Sequence, residues 1–256
     1  MKFLAIFCLF CCIQMELFSQ SVFALEPKKD LIIGAISIGI GIIPLIINNE
    51  PGYIPGILNS NEVNPFDRIF IFSYKRNLNL FSDNILPYAM ALLPIIPIIP
   101  NARYSNTVFT YSVMYSQALL LNYGTVFTLK GVINRYRPYM YADGVPDGKE
   151  MDFHNSFPSA AASFAFLSAT FFSVTFSQEF PESKWKWPVI LGSYTLATGV
   201  ASMRVFSGAH FLTDVLVGAA IGSIYGSLIP MLHLRKNNRN FTLTPNVNGL
   251  AISLRL

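Results

Sequence analysis

The sequence predicts an all-α protein: a polytopic bundle of five to six membrane-spanning helices, followed by a small C-terminal β-hairpin. Three observations predict it. Only 12% of the 256 residues are charged, against about 25% in soluble domains. Mean hydropathy is +0.45. The apolar residues also gather into runs close to the roughly 20 residues that a helix rising 1.5 Å per residue needs to cross about 30 Å of hydrocarbon.

Residues 1–24 read as a secretory signal, with Lys2 as the charged end, an apolar run at 3–13 and small-residue spacing at Val22-Phe23-Ala24; an uncleaved signal anchor is the alternative. Cys8, Cys11 and Cys12 all fall there, so the rest of the chain has neither disulfides nor thiolate metal sites. The membrane domain follows over 25–232, with apolar runs at 31–47, 85–100, 107–129, 157–176, 188–205 and 211–232. In lipid the backbone must satisfy its own polar groups, so these runs are helices. The first two are short, and the second carries Pro94, Pro97 and Pro100, so kinked or incomplete spans are expected there. Between them, residues 48–83 form a loop with an amphipathic piece around Phe66-Asp67-Arg68 at the membrane surface. Gly144, Pro146 and Asp147 make 139–155 a surface loop. The polar tail, 233–256, opens with Arg235, Lys236 and Arg239, then places Asn248-Gly249 between two partly alternating runs, a type I′ hairpin signal.

The net charge of +4 is small and its basic residues flank apolar runs without forming a stripe. That argues against nucleic-acid binding and for membrane orientation or anion contacts.

The chemistry-bearing residues lie between Lys130 and Asp214. Lys130 and Arg137 are seven apart, two helical turns, so a helix continuing past Leu129 brings both to one face at the membrane boundary, where they can bind a phosphate. Interfacial anchoring by snorkelling is the plainer reading of the same pair. His210 and Asp214 are four apart at the start of an apolar helix. The carboxylate can fix the imidazole tautomer and leave the other ring nitrogen as a nucleophile; a cap and a dipole-favoured acid would equally explain them. Arg204, six residues before His210 across Gly208, brings a guanidinium suited to bidentate phosphoryl contact. Ser159, after Pro158 at the start of another apolar helix, offers its hydroxyl and the helix-end amides as an anion site.

In order and spacing these residues resemble the type-2 phosphatidic acid phosphatase superfamily, which also includes bacterial acid phosphatases and vanadium haloperoxidases. The first family motif is complete at Lys130, Arg137 and Pro138, and the third at Arg204, His210 and Asp214, although Met203 replaces the serine usual before the arginine. The resemblance covers about 107–232. It implies a membrane lipid phosphatase in which His210 forms a phosphohistidine, Asp214 orients it, and Lys130, Arg137, Ser159 and Arg204 hold the phosphate, without metal or other cofactor. The implied partners are a lipid phosphate or diphosphate substrate and the bilayer.

The second motif departs from the family. Where the family has Pro-Ser-Gly-His, this chain has Pro158-Ser159-Ala160-Ala161. The missing histidine would protonate the leaving group, and a methyl cannot. General acid catalysis contributes about 10²–10⁴-fold. An enzyme acting on an acidic leaving group such as a lipid diphosphate, His154 as substitute acid, and a catalytically inert phosphate-lipid binding relative are the three alternatives.

The loops carrying these residues are separated by two spans and so open on one face. Arg103, Lys184, Lys186 and the Arg235-Lys236-Arg239 cluster belong to the other, which the positive-inside rule makes cytoplasmic. The site is therefore expected on the extracytoplasmic, or periplasmic, side of the cell membrane. Cleavage after Ala24 followed by six full crossings would place it inside; the charge distribution is given precedence because the first two runs are short.

Overall fold

The structure, a computed structural model, describes residues 21–47, 56–101, 105–149, 152–235, 241–246 and 249–254. Most of the leader, and Arg103, Lys236, Arg239 and Asn248, lie outside them.

Helix α1, Pro27–Ile46, opens on a proline, whose missing N–H is no loss in a first turn. The amphipathic piece forms a single turn, α2, Pro65–Arg68, capped by the Asn64 side chain accepting from the Asp67 amide at 2.9 Å. Helix α3 runs over Arg76–Ile98, with a π turn at Phe81–Ile85 and a 3₁₀ end at Leu93–Asn101 where the prolines fall. Helices α4, Ser105–Ile133, α5, Ala160–Glu179, α6, Lys186–Phe206, and α7, Leu212–His233, follow. Among the described residues α1, α3, α5, α6 and α7 are long and apolar enough to cross a membrane. Helix α4, 29 residues long, extends about 43 Å at 1.5 Å per residue. The chain is thus a multi-pass helical membrane protein.

Two expectations need correction. Neither early run is short: α1 has 20 residues and α3 has 23. Helix α3 starts nine residues before the apolar run because its first turns carry Asn79 and Asp83, which pair with Arg204. Hydropathy averaging hides a helix whose polar residues are paid for by a buried partner.

Small residues set the packing, as expected where lipid supplies no hydrophobic drive between helices. A methyl group on Gly218, Gly222 or Gly226 of α7 would collide with the carbonyls of Ser159, Ser163 and Leu167 in turn, so α7 lies directly on the backbone of α5. Helix α1 is peripheral and meets α4 where Gly124 faces Ile40 and Gly131 faces Ile47.

The end of the bundle where α1 begins and α7 ends is sealed by side chains. Phe23 is 1% exposed and sits edge-on to Tyr111 with ring centroids 5.6 Å apart. The Ser21 and Tyr111 hydroxyls donate to Glu179, and the Ala24 amide donates to the His233 carbonyl at 2.9 Å. His233 spends both ring nitrogens, Nδ1 on the Ile229 carbonyl and Nε2 on Asp30.

Strands β1, Phe241–Asn246, and β2, Gly249–Leu254, pair antiparallel. Asn246 faces Gly249, so Gly249 is a paired strand residue, and Asn248, the other half of the expected turn, lies outside the described residues.

Candidate active site

Helix α4 stops at Ile133, and Asn134 turns the chain with φ of 48°. Lys130 therefore leaves the last helical turn. Arg137 comes from extended backbone (φ −79°, ψ 156°) ahead of Pro138, not from the shared helical face expected, because the residue before proline avoids helical geometry. Lys130 Nζ donates to the Asn155 carbonyl at 2.6 Å. Arg137 donates from Nε to the Asp152 carbonyl at 2.8 Å, from Nη2 to Asp152 Oδ1 at 2.6 Å, and from Nη1 to the Ala209 carbonyl at 2.8 Å.

Between α6 and α7 the chain turns at Gly208, whose φ is 71° and where a methyl would strike the Phe72 carbonyl. This turn puts Arg204, at the end of α6, and His210, just before α7, beside each other; the His210 amide donates to the Arg204 carbonyl at 3.2 Å. Arg204 is 2% exposed. Its Nη1 meets Asn79 Oδ1 at 2.7 Å and Asp83 Oδ1 at 3.3 Å, while its buried Nε has no hydrogen-bond partner among the described residues. An unsatisfied guanidinium N–H costs about 1–3 kcal/mol or more and calls for an acceptor.

His210 Nδ1 lies 2.7 Å from the Ser156 carbonyl. A carbonyl only accepts, so the proton belongs on Nδ1 and the lone pair of the neutral ring on Nε2, which lies 3.2 Å from Arg137 Nη1. Asp214 is 3.8 Å from Nδ1, too far for a hydrogen bond. It does not orient the ring directly, as expected from the four-residue spacing, because the helix begins only at Leu212 and its carboxylate is used elsewhere. Asp214 Oδ2 accepts the Phe211 amide at 2.8 Å and the Ser156 hydroxyl, and Oδ1 pairs with Arg135. Ser156 thus links carboxylate and ring, by its hydroxyl to one and its carbonyl to the other.

A supporting layer lies beneath. Arg135 stands 4.3 Å over the Phe211 ring and also pairs with Asp67 of α2 at 2.7 Å. Asp67 in turn accepts the Thr213 amide at 3.1 Å and hydroxyl at 2.6 Å, which ties the surface turn to the start of α7.

Burial depresses the His210 pKa well below its usual value, and the positive charges of Arg137, Arg204 and Lys130 push it the same way. Both effects favour the neutral ring. Burial alone would raise the Asp152 carboxyl, but the Arg137 charge and hydrogen bond, with Lys149, pull it below the ordinary range.

Lys130, Arg137, Arg204 and His210 line one cavity of about 290 Å³, with Asp83 and Asp152 beside them. Its other wall is apolar, from Pro44 of α1, Ile47 just past its end, and Tyr123 and Phe127 of α4. Four of the predicted residues are thus brought together. The others are not in the wall. The Ser159 hydroxyl is buried and caps α5, accepting from the Ala162 amide at 3.5 Å, and its own amide donates to the Asp214 carbonyl at 3.0 Å; Ala160 takes the place in the wall. His154 lies edge-on to Phe153 at 4.9 Å, outside the lining. Ala161 packs with Met90, Ala165 and Val200.

Sequence reasoning missed Asp83, Asp152, Arg135 and Ser156 as parts of this assembly. The signal for Asp83 was an acid at the edge of an apolar run, where charge is costly. The signal for Arg135 was its place two residues before Arg137.

A Porphyromonas gingivalis protein described as "Lipid A 1-phosphatase" is 33% identical over 128 residues, 48% of this chain and 26% of that protein. The chain thus spans about a quarter of that relative's length. The crystal structure of a transmembrane PAP2-type phosphatidylglycerolphosphate phosphatase from Bacillus subtilis aligns at 19% identity and a TM-score of 0.41, covering 88% of this chain and 92% of that one. The family model described as the PAP2 superfamily matches residues 111–238, half of the chain, a span that includes Lys130, Arg137, Arg204 and His210, and the protein belongs to that superfamily.

Proposed function

We propose that this protein is a membrane-bound lipid phosphatase that hydrolyses a phosphomonoester or diphosphate in two steps through a phosphohistidine at His210. The observation that carries the reading is the convergence of Lys130, Arg137, Arg204 and the Nε2 of a neutral His210 on one cavity, with the Arg204 Nε buried and unpartnered. An anionic phosphoryl group supplies the missing acceptor, and guanidinium clamps stabilise the charge it develops in transfer. Attack by Nε2 is supported by the Ser156 carbonyl holding the Nδ1 proton. The apolar wall of Pro44, Ile47, Tyr123 and Phe127 suits a lipid-borne phosphate entering from the bilayer.

The cavity lies where α1, α4 and α6 end and α3, α5 and α7 begin. Away from its lining and supporting residues, the described basic residues at this end are Arg68, Lys75, Arg76 and Lys149; the described segments at the other end carry Lys28, Lys29, Lys184, Lys186 and Arg235, and in sequence Arg103, Lys236 and Arg239 adjoin those segments. By the positive-inside rule the cavity faces the extracytoplasmic side. Because α1 is a full helix starting at the far end, this orientation goes with a leader that is not cleaved as a secretory signal.

The test is phosphate release by the purified chain in detergent, with a lipid diphosphate and a lipid monophosphate as substrates. Turnover that disappears in His210→Ala is the expected result. A second reading, an inert phosphate-lipid binder, is favoured by Ala161 in place of the family's histidine. No turnover by the parent and turnover restored by Ala161→His would establish that reading instead.

A further inference from the structure

We propose that Asp83 is the proton-transfer group of this site, acting as general base in the second step, and that the substrate is a lipid diphosphate. The inference rests on the phosphatase reading above and deepens it. With a methyl at Ala161, α5 presents no acid or base to the cavity. Besides His210 and the cations, the carboxylates in the wall are Asp83 and Asp152. Asp152 is committed: Arg137 holds its carboxylate at 2.6 Å and its backbone carbonyl at 2.8 Å, and Lys149 lies 3.6 Å from its other oxygen. Among the described residues Asp83 has a single ion-pair contact, a long one of 3.3 Å to Arg204 Nη1, and its side chain is 37% exposed, within reach of water.

Its placement is specific. The π turn at Phe81–Ile85 interrupts the regular winding of α3 where Asp83 meets the cavity; such turns often accompany functional sites. Helix α3 is among those long enough to cross the membrane, where an acid is costly unless it has work to do. The preceding turn of α3 supplies Asn79, which takes the other contact of Arg204 Nη1. One helix end therefore both fixes the phosphate clamp and sets a carboxylate beside the place its phosphate will occupy.

The chemistry balances with this one group. In the first step His210 Nε2 attacks the terminal phosphorus. The P–N bond forms, the bridging P–O bond breaks, and the lipid monophosphate leaves with the electron pair. A phosphate leaving group needs no proton near neutral pH, so the absent histidine is not missed. In the second step a water oxygen attacks phosphorus and the P–N bond breaks. Its electron pair returns to Nε2, and the water proton passes to the Asp83 carboxylate, which releases it to solvent as inorganic phosphate departs. A lipid alcohol, by contrast, would have to leave as an alkoxide, at a loss of about 10²–10⁴-fold.

The experiment follows radiolabelled phosphate from a lipid diphosphate through the full chain and its Asp83→Asn variant. The variant should label at His210 as fast as the parent and lose turnover about 10²-fold, so that phosphohistidine accumulates. Hydroxylamine, a nucleophile that needs no base, should restore its dephosphorylation, and Asp83→Glu should recover part of the turnover. Slowed labelling in Asp83→Asn would mean that the residue only positions Arg204, and would overturn the proposal. So would turnover within about threefold of the parent, accumulation in Asp152→Asn instead, or faster hydrolysis of the lipid monophosphate than of the diphosphate. A parent that neither labels nor releases phosphate defeats the underlying phosphatase reading, and this inference with it.

Discussion

Two buried histidines bracket α7, each near an aspartate, and the fold uses them in opposite ways. His233, at the C-terminal end, has both ring nitrogens engaged, one by a carbonyl a turn earlier and the other by Asp30. His210, at the N-terminal end, has Nδ1 held by a carbonyl, while Nε2 meets Arg137 Nη1 at 3.2 Å on a cavity lined by three cations. Burial alone does not mark a reactive imidazole. The difference lies in what meets Nε2: a carboxylate, Asp30, at His233 and a guanidinium, Arg137, at His210, whose own aspartate stays 3.8 Å from Nδ1.

The sharpest way to break the comparison is to delete each ring. His210→Ala should reduce phosphate release to the level of buffer with little change in thermal unfolding. His233→Ala should keep turnover within a few-fold and destabilise by about 1–3 kcal/mol, since it takes the ring away from Asp30 Oδ1 and the Ile229 carbonyl. Comparable losses of activity in both variants would erase the distinction.

The next largest effect is expected at the clamp. Arg204→Lys keeps the charge but loses the forked donors that meet Asn79, Asp83 and an incoming phosphoryl group. Turnover should fall about 10²-fold, as for loss of one preorganised donor elsewhere, and unchanged steady-state kinetics would argue against a phosphate at that position. A smaller effect, about tenfold, is expected for Ser156→Ala. The ring keeps its backbone carbonyl acceptor, and only the link to Asp214 is lost. Asp30→Asn, the matching change at the other end, should alter the melting temperature and leave kcat/KM alone.

The pH dependence gives the last test. His210 has its pKa depressed below 6.5 by burial and by Arg137, Arg204 and Lys130, against the raising effect of the Ser156 carbonyl. Its acid limb in kcat/KM should therefore lie below 6.5. For stability the sign is equally definite. Between the folded and unfolded pKa values the unfolded chain binds the proton and the folded chain does not, so this residue's contribution falls as pH drops through 6.5. In His210→Ala that part of the acid sensitivity should disappear, measured as unfolding midpoint against pH.

Sequence spacing made Lys130, Arg137, Arg204 and His210 legible because their chemistry is carried by side-chain type at fixed intervals. The bundle was legible for the same reason, from the lengths of its apolar runs. What stayed hidden was carried by backbone or by distance. The acceptor that holds His210 is the carbonyl of Ser156, an atom every residue possesses. Asp83 and Asn79 were read as loop because a hydropathy window counts polar residues against a span, and no window records that a buried arginine on α6 waits for them. Ser159, which the motif marks as a ligand, caps its own helix here, since a serine before an N-terminus satisfies the nearest free amide.

The stripe of glycines on α7 has a consequence for where damage to chemistry can originate. From Gly218 to Gly226 it extends about 12 Å along the axis at 1.5 Å per residue, all of it below the cavity. With no side chain between the two backbones, α5 and α7 have no cushion to absorb an added methyl group. A Gly→Ala change well inside the bilayer will lever apart the helix starts that carry Ser156 and His210. It will be scored as a catalytic lesion although it touches no substrate.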